Sequence, residues 1–368
     1  MKIALVHDYL VQNGGAEKVL ECLSELWPEA PIYTILYDET KCPQFKKSLI
    51  KTSFLQKIPL AKKYHRLFPP LMMNAIEQFN FENYDLILSD SSSFAKNIIA
   101  SPKTLHICYC HTPMRYAWDD CQNYTQEFSF PWWLKKVIPF LMNYIRIWDY
   151  YSSSGVDHFI ANSKFVSGRI KKYYGRDSIV INPPVQVNKF YITPKEKLGD
   201  YFLVTGRMMK YKKMDLVIRT FNDLKLPLKI IGSGIEYKNL KKIANQNIEF
   251  LGRVSDKKLT DIFSKAQAFI FPQEEDFGIV AIEALASGRP IIAYKAGDIV
   301  EHVENGKSGI FFEKQTKNSL KQAIDKFWKI DFDPTFIRKT ALGFSEKQFK
   351  AKIESEVKEY YKKFKNKF

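Results

Sequence analysis

Short runs of β-branched and other apolar residues alternate with amphipathic stretches from one end of the chain to the other. This alternation constrains the fold more than any other feature. A strand buried on both faces reads as a continuous apolar run, and a parallel neighbour needs a helix to carry the chain back. An all-β chain would place turns where this one places helical patterns, and an all-α chain would lack the runs. One series of strands is expected at 2–7, 31–36, 86–89, 106–110 and 158–161. A second series follows at 178–181, 201–205, 228–231, 248–251, 268–271, 290–293 and 309–311. A length of 368 residues leaves room for two α/β domains, each able to bury its own core.

The division is expected within 182–200, where Pro183-Pro184 and several charges precede a fresh strand without any helical period. The chain is thus read as α/β, with two Rossmann-like, doubly wound domains facing across a cleft: 1–184, and 185–345 as the ligand-binding half. Beyond Ser345, Phe349, Ile353, Val357 and Tyr361 recur four apart in a Lys-rich segment. Residues 346–368 are therefore expected to form a helix that packs one face, returning to the N-terminal domain.

Fifty-six Lys and Arg against forty Asp and Glu give a net charge of +16, which favours anionic partners such as nucleotide phosphates or an acidic membrane surface. Nucleic acid is the weaker reading, because the aromatics sit in apolar runs rather than on one basic face. Five cysteines without CxxC pairing suggest neither a disulfide framework nor a structural zinc, and a reducing cytosol fits them. The first apolar run is too short for a signal peptide, and the most apolar later stretch, 132–147, is broken by Lys135, Lys136 and Arg146. No spanning helix is expected.

Residues 271–288 read as a strand, an acidic loop and a helix, with Glu275 and Glu283 eight positions apart. A helix opening near Phe277 would bring the free N–H groups of Phe277 and Gly278 beside the Glu275 carboxylate, a combination suited to a polyol, with Asp276 and Ile279 flanking. The bland alternative makes Glu275 a helix cap and Glu283 a solvated residue. Upstream, Gly206-Arg207 closes a strand and Lys212 follows before a helix, placing two cations at a carboxyl strand end where α/β sheets bind ligands. Arg207 and Lys212 suit a diphosphate, the one as a planar fork and the other as a mobile point charge. Gly232 and Gly234 close the next strand in a turn where backbone can approach a phosphate or ribose, and Arg253 and Val254 follow another strand as a wall for a base. In the N-terminal half, Gly15 lies in the first strand-to-helix turn, and His111 follows a strand where it can reach a sugar hydroxyl.

Together these elements resemble the retaining GT-B glycosyltransferases of family 4, the family marked by an E-x7-E motif. Glu275 and Glu283 match that motif, Arg207 and Lys212 its phosphate clamp, and Gly15 its N-terminal glycine loop; His111 falls where the family has a histidine near the donor sugar. The stretches 111–119 and 275–283 look most like the bacterial subgroup that adds mannose during O-antigen, capsule or exopolysaccharide assembly. The wording departs from that subgroup at Lys210 and at Ala296-Gly297-Asp298. The resemblance implies transfer from a nucleotide sugar, GDP-mannose, without cofactor or metal, onto a saccharide or polyprenyl-linked acceptor. It makes Glu275, His111, Arg207 and Lys212 the catalytic set. It also implies a cytoplasmic protein, peripheral on the inner membrane face, and the basic, apolar segment 51–68 is the expected docking site. A GT-B epimerase is the alternative; a dinucleotide oxidoreductase is disfavoured because no GxGxxG follows the first strand.

Overall fold

The computed structural model describes residues 1–64, 69–119 and 132–367. It forms two compact units, Met1–Pro184 with Phe349–Phe368, and Val185–Gln348. The first unit runs β1 (Ile3–His7), α1 (Gly15–Leu26), β2 (Ile32–Thr34), β3 (Ile50–Thr52), α2 (Ala61–Tyr64), α3 (Pro69–Glu77), β4 (Leu86–Ser91), β5 (Leu105–Cys110), α4 (Trp132–Ser152), β6 (His158–Ala161), α5 (Lys164–Tyr174) and β7 (Ser178–Val180). The second runs β8 (Phe202–Thr205), α6 (Met214–Leu224), β9 (Leu228–Ile231), α7 (Tyr237–Ile243), β10 (Ile248–Gly252), α8 (Asp256–Lys265), β11 (Phe269–Phe271), α9 (Ile279–Ala286), β12 (Ile291–Tyr294), β13 (Gly309–Phe312), α10 (Lys317–Phe327) and α11 (Pro334–Ala341). The last helix, α12 (Glu346–Lys365), belongs largely to the first unit.

The first sheet has the order β3-β2-β1-β4-β5-β6-β7 and the second β10-β9-β8-β11-β12-β13. Every strand pair is parallel. In each sheet the order reverses once, between β1 and β4 and between β8 and β11. Outside the carboxyl ends of those strands the connections part and leave a crevice, the usual place for a ligand in an open α/β sheet.

The two-residue period of a strand explains the cores. Ile3, Leu5, Leu86 and Leu88 point to one face of the first sheet, with Val19 and Leu23 of α1 and Phe349, Ile353 and Val357 of α12. Ala4, Val6 and Ile87 point to the other, where α3 and α4 cover them. The second sheet is covered likewise, with Ile282 and Leu285 of α9 on one face and Val217 and Phe221 of α6 on the other.

Two differences from the sequence reading have local causes. The strand at 178–180, grouped with the second series although it falls within the domain bounds 1–184, closes the first sheet, because β7 pairs with β6. β3 had no signal in the sequence: it is a three-residue edge strand with none of its residues buried, so no alternation marks it. Among the described residues no helix is long and apolar enough to cross a membrane.

Candidate functional site

In the second unit two loops flank the crevice between β8 and β11. The loop after β8 carries Arg207, which is exposed, and a short 3-10 turn ending at Lys212. The loop after β11 carries Glu275. Lys212 and Glu275 form an ion pair, with side chains only 12% and 13% exposed. Gln273 Nε2 donates to Glu275 Oε1 at 3.1 Å. From behind, the turn after β12 holds the backbone of Glu275, where the N–H of Asp298 donates to the Glu275 carbonyl at 3.1 Å. Gly297 sits there at φ +76°, and a Cβ on it would lie 2.6 Å from the same oxygen. A glycine is therefore required both by conformation and by space.

Helix α9 opens at Ile279, two residues later than the sequence suggested, with Gly278 at its N-cap. Gly278 passes closely over β11, where a Cβ on it would meet the Phe271 ring at 2.7 Å. Asp276, Phe277 and Gly278 thus stay in the loop. Phe277 packs edge-on against His302 and near Phe344. Glu275 does not cap α9, and Glu283, in the helix's second turn, is 8% exposed rather than solvated. The two bland alternatives for these carboxylates are thereby excluded.

The structure supplies another reason for the glycines after β9. A Cβ on Gly232 would lie 2.0 Å from the Gly206 carbonyl oxygen, and one on Gly234 2.2 Å from that of Met208. The turns after β8 and β9 are pressed together, tied by Met208 N–H to the Ser233 carbonyl at 2.9 Å and Glu236 N–H to the Met208 carbonyl at 3.1 Å. These glycines position the loop that bears Arg207. Arg253, exposed after β10, donates from Nε to Ser233 Oγ at 3.2 Å, while Val254 packs partly buried on the core.

In the first unit the crevice between β1 and β4 holds a buried charge network that the sequence reading missed apart from its ends. His7 Nδ1 meets Asp90 Oδ2 at 2.9 Å, His111 Nε2 meets Asp90 Oδ1 at 2.6 Å, and His7 Nε2 lies 3.9 Å from Glu17. Glu17 in turn accepts the Gly14 N–H at 2.8 Å, which fixes the turn leading into Gly15. Burial opposes charge on His7, but Asp90 and Glu17 outweigh it and push its pKa up to about 10. Burial likewise opposes charge on Asp90 and Glu17, and their histidine partners overcome it and hold both below the usual carboxylate range. The available signal was that His7 and Asp90 stand at or beside the carboxyl ends of their strands. In the second unit Asp298 was also missed as a support; burial pushes its carboxyl up despite a 2.6 Å contact with His302.

Residues 13–189 match the family described as Glycosyltransferase Family 4, and residues 188–341 the family described as Glycosyl transferases group 1. An uncharacterized glycosyltransferase of Methanocaldococcus jannaschii is 30% identical over 210 residues, 55% of this chain and 57% of that protein. O-antigen chain mannosyltransferase C of Escherichia coli is 26% identical over 143 residues, 36% of this chain and 38% of that protein. The alignments thus span about half or less of those relatives' own length. Anabaena HepE, solved in complex with UDP, has the same fold, with a TM-score of 0.71 at 17% identity over 98% of this chain and 100% of its own.

Proposed function

From the two family matches, which run through residues 13–341 and make the chain a GT-B glycosyltransferase of the family-4 type, we propose a retaining enzyme of cell-surface polysaccharide assembly. Its donor is GDP-mannose and its acceptor a lipid-linked or other saccharide, with the O-antigen mannosyltransferase relative as support for the sugar. The protein works in the cytoplasm, peripherally on the inner face of the membrane. An epimerase of the same fold is not favoured, since the named relatives are transferases.

The observation that carries this reading is the Lys212–Glu275 pair at the switch point of the second sheet. A nucleoside diphosphate competes for Lys212, and Arg207 beside it adds a bidentate fork. Glu275, released from its lysine, accepts hydrogen bonds from sugar hydroxyls. The backbone of Asp276, Phe277, Gly278 and Ile279 lines the same sugar, and Glu283 takes the ribose. Gly232 and Gly234 keep the Arg207 loop in place, and Arg253 with Val254 flanks the base. Within the N-terminal unit, Gly15 at the start of α1 and His111 after β5 are the residues suited to a sugar. In the reaction the bond from the anomeric carbon to the diphosphate oxygen breaks, an acceptor oxygen bonds to that carbon on the same face, and the acceptor proton passes to the departing phosphate. Arg207 and Lys212 neutralise the charge that grows on that phosphate, so no metal is required.

Calorimetry with GDP, UDP and ADP tests the reading. GDP is expected to bind most tightly, and an Arg207→Ala variant to lose that binding. Preference for UDP would replace the donor, and failure of all three nucleotides to bind would refute the transferase assignment.

A further inference from the structure

Helix α4 is apolar on two opposite sides. Ile138, Met142 and Ile145 are buried in the core beneath it, and Asp149 is buried against Lys96. On the other side Val137, Phe140, Tyr144, Ile147 and Tyr151 recur at alternating spacings of three and four residues, which aligns them in one ridge. They are 52%, 79%, 60%, 48% and 70% exposed. A continuous ridge of that kind facing water marks a surface that meets a partner.

Its surroundings identify the partner's chemistry. The core that receives the inner side of α4 also receives Leu55, Ala61, Met72 and Ile76, so α4 and the segment from β3 to α3 are parts of one layer over one sheet face. That segment exposes Phe54, Leu60 and Leu71 together with Lys57, Lys62 and Lys63. No acidic residue occurs between Glu39 and Glu77, or between Trp132 and Trp148. The layer is therefore apolar and cationic at once. A second copy docked on it through a two-fold axis would set lysines against lysines, at an electrostatic cost. An anionic bilayer satisfies both features: phosphate headgroups take the lysines, Phe140 and Ile147 reach the acyl boundary, and the tyrosines keep their hydroxyls among the headgroups.

We propose that α4, with the basic segment beside it, is a membrane-docking surface for an anionic bilayer, and that the aromatic ridge of α4 is its inserted part. Residues 65–68 of the basic segment lie outside the described residues, and the proposal does not use them. It rests on the reading above of a membrane-borne acceptor, for which docking brings the enzyme to its substrate.

The test is flotation of the full chain with vesicles of phosphatidylcholine and phosphatidylglycerol in equal parts, and with phosphatidylcholine alone. It is run on the wild type and on F140S/Y144S, with light scattering for mass and thermal unfolding as a check on folding. Wild type is expected to float with the anionic vesicles only. The variant, altered at exposed positions, is expected to keep its unfolding temperature and lose vesicle affinity by about tenfold or more. Equal flotation of the two proteins would overturn the proposal. So would a wild-type dimer that the variant breaks, with no flotation of either. Sugar transfer to a soluble acceptor, assayed on both, separates the two ideas: its absence with flotation intact removes the transferase reading, and its presence without flotation removes the docking surface.

Discussion

Replacing His7 by glutamine should change how the stability of the first unit depends on pH, and the direction follows from the network around it. His7 is buried between Asp90 and Glu17, which push its pKa up to about 10 against an ordinary value of 6.5. The raised folded value means that the charged ring stabilises the fold fully below about pH 6.5, and that this contribution disappears as pH rises through about 10. From about pH 6 to about pH 9 the loss amounts to about 3 kcal/mol, at 1.36 kcal/mol for each tenfold change in proton binding. His7→Gln keeps a hydrogen-bonding side chain but cannot carry the charge. Urea unfolding of both proteins at a series of pH values, read as the difference between them, cancels the titrating groups outside the His7, Asp90 and Glu17 network. The variant should be much less stable than wild type near pH 6, and the gap should narrow by about 3 kcal/mol toward pH 9. A gap that stays constant over that range would refute the idea that His7 is held as a cation.

Glu275→Gln should cost sugar transfer about tenfold or more while GDP still binds, since a carboxylate accepting hydroxyls is worth about 1.5–3 kcal/mol. Arg207→Ala should weaken both GDP binding and turnover; steady-state kinetics beside calorimetry tells the two apart, and equal loss of GDP affinity in both variants would count against the sugar role of Glu275. Gly234→Ala forces a methyl group to within 2.2 Å of the Met208 carbonyl oxygen, so thermal unfolding should show a loss of about 2 kcal/mol or more, and an unchanged transition would mean that the two turns can part freely. Asp298→Asn should raise stability near neutral pH, where the buried carboxyl with its raised pKa would otherwise have to ionise, and should change nothing below the unfolded value of about 4. Chemical denaturation at two pH values checks the sign.

The fold was legible because it is written in local pattern. Strands such as 3–7, 86–91, 105–110 and 202–205 are buried along their whole length and are built largely of apolar residues, with polar ones such as His7 and Ser89-Asp90-Ser91 toward their carboxyl ends, and the amphipathic helices between them leave a parallel sheet as the way to connect the chain. β3 escaped because a three-residue edge strand is defined by its neighbour β2 and not by its own side chains. The start of α9 lies two residues later than the pattern suggests, with Phe277 and Gly278 still in the loop, where Gly278 crosses closely over the Phe271 ring, a contact between a strand and a loop that spacing does not contain.

Residue chemistry was also in the sequence. A carboxylate pair eight positions apart, two cations after a strand and a histidine after another can be read from spacing alone. What spacing does not contain is which charge meets which. Lys212 lies against Glu275 because β8 and β11 are neighbours in the sheet although two strands separate them in the chain, and Asp90 bridges His7 and His111 because β4 lies between β1 and β5. Burial decides the rest. The same ring that would titrate near neutrality in water is held charged at His7, because two carboxylates share its buried site. The sequence alone determines the alternation that makes the sheets and the side chains available at their ends; strand order and burial, which are properties of the folded whole, determine the partners and the charge those side chains carry.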